Sequence, residues 1–223
     1  MSVVQNSPFA FVDGKPLGDF DGITDGDTVG RVLKTGVVIA DESANGRLVV
    51  KGAAAEVVVA VLFRVEDMAV GAGAVLEQSS RVYRLRHDLF FVETAPGRAA
   101  ELTAELVKAA TASDVFVTVT DVTHGRSEML LAGVASTALM SKLCGLNFDD
   151  RAFPDRTAQR SSFAKTKQLI IRQDEMTTLA FAVIGGRSSA SYLWETVMEA
   201  GAEFDITPVG ANTLRQWRQS GST

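Results

Sequence analysis

Gly185-Gly186-Arg187-Ser188-Ser189 is the stretch best suited to hold a ligand. Consecutive glycines ahead of a helix start can turn backbone N–H groups toward an anion, and Arg187 adds a positive charge. The competing reading is a helix cap beside a tight turn. Asp149, Asp150 and Asp155 have the types needed for paired-carboxylate acid–base work, yet Arg151, Arg156 and Arg160 are interspersed, which reads as a salt-linked surface loop. Cys144 is the single cysteine, so neither an internal disulfide nor a cysteine-rich metal site can form. At a predicted helix end without a neighbouring His it reads as a packed thiol rather than a nucleophile. His87 and His124 are too few for a histidine-rich metal centre, and no spacing supports a mixed site with carboxylates. The run Asp19 to Asp27, DFDGITDGD, lacks the twelve-residue calcium-loop spacing that ends in Glu and reads as part of a solvated arm. The GxG within Val70 to Val75 lacks the third glycine and the βαβ context of a dinucleotide site; it reads as a loop entering a strand.

The elements that must position these residues come in two similar sets. From Asp121 to Leu146 the order is turn, apolar strand, glycine hinge at Gly133 and amphipathic helix, with Ala135, Ala138, Leu139 and Leu143 at helical spacing and Gly145 placed to end the helix in a left-handed turn. A fainter version runs from Asp41 to Phe63. Downstream, Val82 to Val92 reads as a hairpin turning near His87-Asp88, followed by an alanine-rich helix from Gly97 to Ala110. Its counterpart is the Gln168 to Asp174 strand, the Leu179 to Ile184 strand and a helix from Ser188 to Ala200. This predicts an α+β chain of two similar βαββα-type lobes with antiparallel sheets covered by helices. The expected division is an arm over 1–29, lobes over 30–113 and 114–210, and a tail over 211–223. Phe9, Phe11 and Phe20 make the arm partly apolar, suited to lie across a partner subunit. In the last long helix Trp194 and Met198 form a second stripe beside Leu193 and Val197, which requires burial on two sides.

With 46% hydrophobic and 22% charged residues the composition is that of a soluble globular protein. A formal charge of −5 and the lack of a basic stripe with interleaved aromatics argue against nucleic acid as a partner. No run is long and apolar enough to cross a bilayer, and the first residues lack a basic segment ahead of an apolar one, so a cytoplasmic protein is expected.

Asp121-Val-Thr-His-Gly-Arg126, the Gly133 to Leu146 helix, Ala152-Phe153-Pro154, the strand from Ala164-Lys165 to Ile171-Arg172, and Arg187-Ser-x-x-x-Tyr192-Leu-Trp194 occur in an order that resembles the gamma subunit of heterotetrameric sarcosine oxidase. That subunit belongs to the fold shared with the aminomethyltransferase (T-protein) of the glycine cleavage system. The resemblance implies a folate-binding-type fold in a non-catalytic subunit without an active site of its own. Its place would be in a flavoenzyme complex that oxidises an N-methyl amine such as sarcosine. FAD, FMN, NAD and zinc would be carried by the other subunits, and the one-carbon product would pass to tetrahydrofolate. Arg126, Lys165 and Arg187 would be the anchors for a folate glutamyl carboxylate or another anion, if this chain bound one; each reads equally well as part of an ion pair. Aminomethyltransferases carry an Asn-Asp pair after the equivalent helix, whose Asp helps position folate, whereas this chain has Asn147-Phe148. Their Tyr-Thr-Gly-Glu segment is replaced by Ser188-Ser189-Ala190-Ser191, and the Lys-Gly-Cys-Tyr motif of stand-alone folate-binding iron–sulfur maintenance proteins is missing. The resemblance therefore implies no cofactor bound by this chain itself. A stand-alone folate-binding or aminomethyltransferase-like protein is the alternative.

Overall fold

A computed structural model describes residues 7–9, 25–76, 80–175 and 177–220. Strand and helix order repeats. The first set is β1 (Val38–Asp41), β2 (Gly46–Lys51), α2 (Ala55–Phe63), β3 (Gly73–Val75), β4 (Arg81–Arg86), β5 (Leu89–Thr94) and α3 (Ala99–Ala112). The second is β6 (Thr118–Asp121), β7 (Arg126–Ala132), α4 (Ser136–Leu143), β8 (Ala158–Phe163), β9 (Thr166–Arg172), β10 (Ala180–Gly186) and α5 (Ala190–Gly201). Ahead of them lies α1 (Gly26–Thr35), and after them β11 (Thr207–Pro208) and α6 (Ala211–Ser220).

The sheets confirm the duplication and add an exchange. One sheet has the order β3-β4-β5-β2-β6 and the other β8-β9-β10-β7-β1, with β11 added in parallel beside β1. Each five-strand set therefore takes its last strand from the opposite repeat, β6 in one and β1 in the other. The compact units accordingly interleave along the chain: 1–43, 126–155 and 160–223 form one, and 44–125 with 156–159 form the other. The sequence expectation placed consecutive lobes on either side of residue 113; exchanged first strands leave no local signal from which to read such interleaving.

Matching turns produce both exchanges. After β1, the Ser43 N–H donates to the Asp41 carboxylate (2.8 Å), and the Glu128 N–H donates to Ser43 Oγ (3.0 Å). After β6, the Thr123 N–H donates to Asp121 (2.9 Å), and the Arg47 N–H donates to Thr123 Oγ1 (2.9 Å). Short hydroxyl and carboxylate side chains here replace ladder bonds that the turning backbone cannot make. The positions receiving the hydroxyl carry opposite charges in the two repeats, Arg47 and Glu128, and neither has exposed surface.

In the first-named unit, helices α4 and α5 cover one sheet face over Met129, Leu131, Ile170, Phe181 and Val183. All seven residues of β7 except Arg126 are buried, as are all of β10 except Gly186, so burial does not alternate along these strands, and Met129 to Ala132 and Ala180 to Ile184 are continuous apolar runs. In the other unit α2 and α3 cover Leu48, Val50, Val82, Phe90 and Val92. Among the described residues no helix is long and apolar enough to cross a membrane.

Several local expectations change. Asp25, read as part of a solvated arm, caps α1 by accepting from the Thr28 N–H at 2.7 Å, and that backbone bond holds its carboxyl below the usual value. Phe9, expected to lie across a partner, packs on Trp194 of its own chain with ring centroids 5.4 Å apart, which supplies the second side on which Trp194 is buried. Phe11 and Phe20 lie outside the described residues. Gly145 does not adopt a left-handed turn: α4 ends at Leu143, and Cys144 goes extended to bridge Phe163. The acidic loop is salt-linked, and Arg172 takes part in it. Its guanidinium reaches Asp174 (2.8 Å), Asp150 (2.6 Å) and the Phe153 carbonyl (2.9 Å), and the bonds to Asp174 hold its pKa above the ordinary value. Replacing Arg172 with Met should cost about 2 kcal/mol, because the Phe153 carbonyl loses its donor while both acids, being partly exposed, regain water. Urea denaturation measures this; an unchanged midpoint would show the cluster to be decorative.

Candidate functional site

Antiparallel pairing brings the three sequence-selected cations to one end of a sheet. Arg126 opens β7 and lies opposite Gly186, the last residue of β10. Arg187 follows Gly186 directly, in the 3-10 turn Arg187–Ser189 that leads into α5. Because β9 runs antiparallel to β10, with Leu169 opposite Ile184, the start of β9 lies at this same end, and the tight turn before it carries Lys165. Ala164 and Lys165 both have positive φ, 45° and 62°, as that turn demands. Arg126 is half-buried, whereas Lys165 and Arg187 are exposed.

Supporting groups fix this end of the sheet. The Tyr192 hydroxyl, on the first turn of α5, donates to the Ala164 carbonyl at 3.0 Å and ties the helix to the turn bearing Lys165. The Gln168 side chain lies over Gly185, where a Cβ would overlap its amide, and its Nε2 donates to Thr166 Oγ1 at 2.8 Å. Its Oε1 is buried without a hydrogen-bond partner. Tyr192 enters the sequence reading only as part of the Arg187 to Trp194 motif, with no role given to it; for Gln168 the clue is that Gly185 sits inside an apolar strand, where glycine marks a close approach.

Positive side chains and a glycine-lined strand end can attract and orient a carboxylate or similar anion. The helix-start reading of Gly185 to Ser189 resolves into a strand end followed by a 3-10 turn: Ser189 Oγ donates to the Gly186 carbonyl at 2.8 Å, and no side chain caps α5. Cys144 is buried, with Sγ 3.6 Å from Ser161 Oγ, as expected of a packed thiol. No group of three or more His, Cys, Asp or Glu side chains among the described residues is arranged to hold a metal ion.

Phe148 occupies the position at which the resemblance would place the folate-orienting acid. Its ring is 3% exposed and meets Phe153 and Phe181 edge-on, at 5.4 and 5.3 Å between centroids. That arrangement is a close-packed aromatic cluster that leaves no place for a carboxylate.

No curated protein matches the chain in a sequence search. Among solved structures it is similar to a chain of the heterotetrameric sarcosine oxidase from Corynebacterium sp. U-96, solved in complex with pyrrole 2-carboxylate. The TM-score is 0.70 at 20% identity, covering 90% of this chain and 96% of that one. It is also similar to the glycine cleavage system aminomethyltransferase T from Bartonella henselae, with a TM-score of 0.80 at 16% identity, covering 99% of this chain but only 63% of that one. Likeness at these identities shows a common fold. Residues 30–221 match the GCVT N-terminal domain family, and the chain belongs to that family.

Proposed function

We propose that this chain is a non-catalytic, gamma-type subunit of a cytoplasmic sarcosine-oxidase-like complex. The complex would oxidise an N-methyl amine on flavin-bearing partner subunits and pass the one-carbon unit to tetrahydrofolate. The observation that carries this reading is the fold shared with one chain of a heterotetrameric sarcosine oxidase, matched with a TM-score of 0.70 over 90% of this chain. The Phe148 cluster supports it, since an aromatic ring stands where the resemblance expects the acid that orients folate. FAD, FMN and NAD would belong to the partners.

The alternative is a stand-alone folate-binding or aminomethyltransferase-like protein. The convergence of Arg126, Lys165 and Arg187 on one sheet end favours it, because these cations suit a glutamyl carboxylate. Calorimetric titration of the purified chain with tetrahydrofolate separates the two. The subunit reading expects no saturable binding at about micromolar concentration and a colourless, inert protein; tight binding by the isolated chain supports the alternative.

A further inference from the structure

Within the unit formed by 44–125 and 156–159 lies a cavity of ≈ 320 Å³ that no part of the proposed function uses. Its size is at the lower end of small-ligand sites. Leu62, Phe63, Leu76 and Leu102 supply an apolar wall, and Arg64, Arg98 and Glu105 bring charge to it. Arg98 Nε donates to Glu101 at 3.2 Å. Arg64 and Glu105 have no ion-pair partner among the described residues. Arg64 closes α2 in the left-handed conformation, with φ 56° and ψ 38°, at a position where glycine is the unstrained choice. Arg98 occupies the N-cap of α3, the helix end that disfavours a cation, and caps nothing with its side chain. Arginine is thus found at two positions that backbone preference or the helix dipole would give to other residues, and both arginines line the same cavity.

The geometry points to a binding site for a small amphipathic monocarboxylate. Its apolar body would lie against Leu62, Phe63, Leu76 and Leu102, and its carboxylate would face Arg64 and Arg98. Glu105 disfavours a second negative charge. This inference is independent of the proposed subunit role.

The test uses the full chain and 3-phenylpropionate as probe, with 3-phenylpropanol and 3-phenylpropylamine as neutral and cationic counterparts. Calorimetry should show one saturable site for the carboxylate. Arg64→Gln and Arg98→Gln should each weaken it on the order of tenfold, while Glu105→Gln should not weaken it. In the unaltered protein the methyl signals of Leu62, Leu76 and Leu102 should shift on titration, a readout that does not depend on how the variants fold. Equal affinity for the alcohol or the amine would overturn the inference. So would unchanged affinity in both arginine variants, shifts confined to other methyl groups, or no saturation by about 10 mM.

Discussion

Gly133→Ala should lower the melting temperature by roughly 8 to 16 °C, corresponding to about 4 kcal/mol. Gly133 lies between β7 and α4 with φ 128°, a conformation that L side chains rarely adopt. A Cβ there would also overlap the Gly36 carbonyl oxygen, which belongs to backbone and cannot rotate aside. The surrounding bonds leave little room for adjustment: the Val134 N–H donates to the Leu33 carbonyl at 3.0 Å and the Ala135 N–H to the Gly36 carbonyl at 3.3 Å, joining the end of α1 to the start of α4. Strain and overlap therefore add. A melting curve coincident with that of the parent would mean that the junction is soft.

Phe148→Asp is expected to prevent folding rather than restore a folate site. Removing a buried phenylalanine ring costs about 3–5 kcal/mol, and enclosing a carboxylate without a partner adds several more, together comparable to the whole stability of many domains. Phe148 packs against Phe153 and Phe181 in the core that also holds Ile170 and Leu139, so an acid there would be largely removed from water. Phe148→Leu keeps the site apolar and should leave a folded protein less stable by about 1.5 kcal/mol. Circular dichroism and solubility distinguish the two variants. A folded Phe148→Asp protein that bound tetrahydrofolate would show that the aromatic cluster is not what withholds the site.

Where the sequence was legible, it was so for physical reasons. Continuous apolar runs at Met129 to Ala132 and Ala180 to Ile184, and helical spacing through Leu102 and Leu106 or Leu193 and Val197, locate strands and helices because burial imposes those periods. The Asp41 and Asp121 turns are readable as a pair because each carboxylate meets the backbone two residues on. By contrast, β8 consists of Ala-Gln-Arg-Ser-Ser-Phe at a sheet edge, where polar residues are tolerated, so 147–166 reads as irregular. Helix α1 is polar on average and escaped notice although Asp25 and Thr28 mark its start. The exchange of β1 and β6 depends on long-range pairing that no window reveals. The cation set at the sheet end could be chosen residue by residue, but its convergence follows from strand direction, and Gln168 over Gly185 follows from register alone.

The role proposed for this chain is that of a structural subunit in a flavoenzyme. It is tested most directly by co-expressing a tagged copy with candidate FAD- and NAD-binding subunits and measuring flavin absorbance and subunit stoichiometry in the affinity-purified material. A yellow complex containing one copy of this chain per flavin-bearing assembly, with no flavin on the chain expressed by itself, is the predicted result. Recovery of the chain free of such partners, or with a flavin or folate bound to it alone, would contradict it.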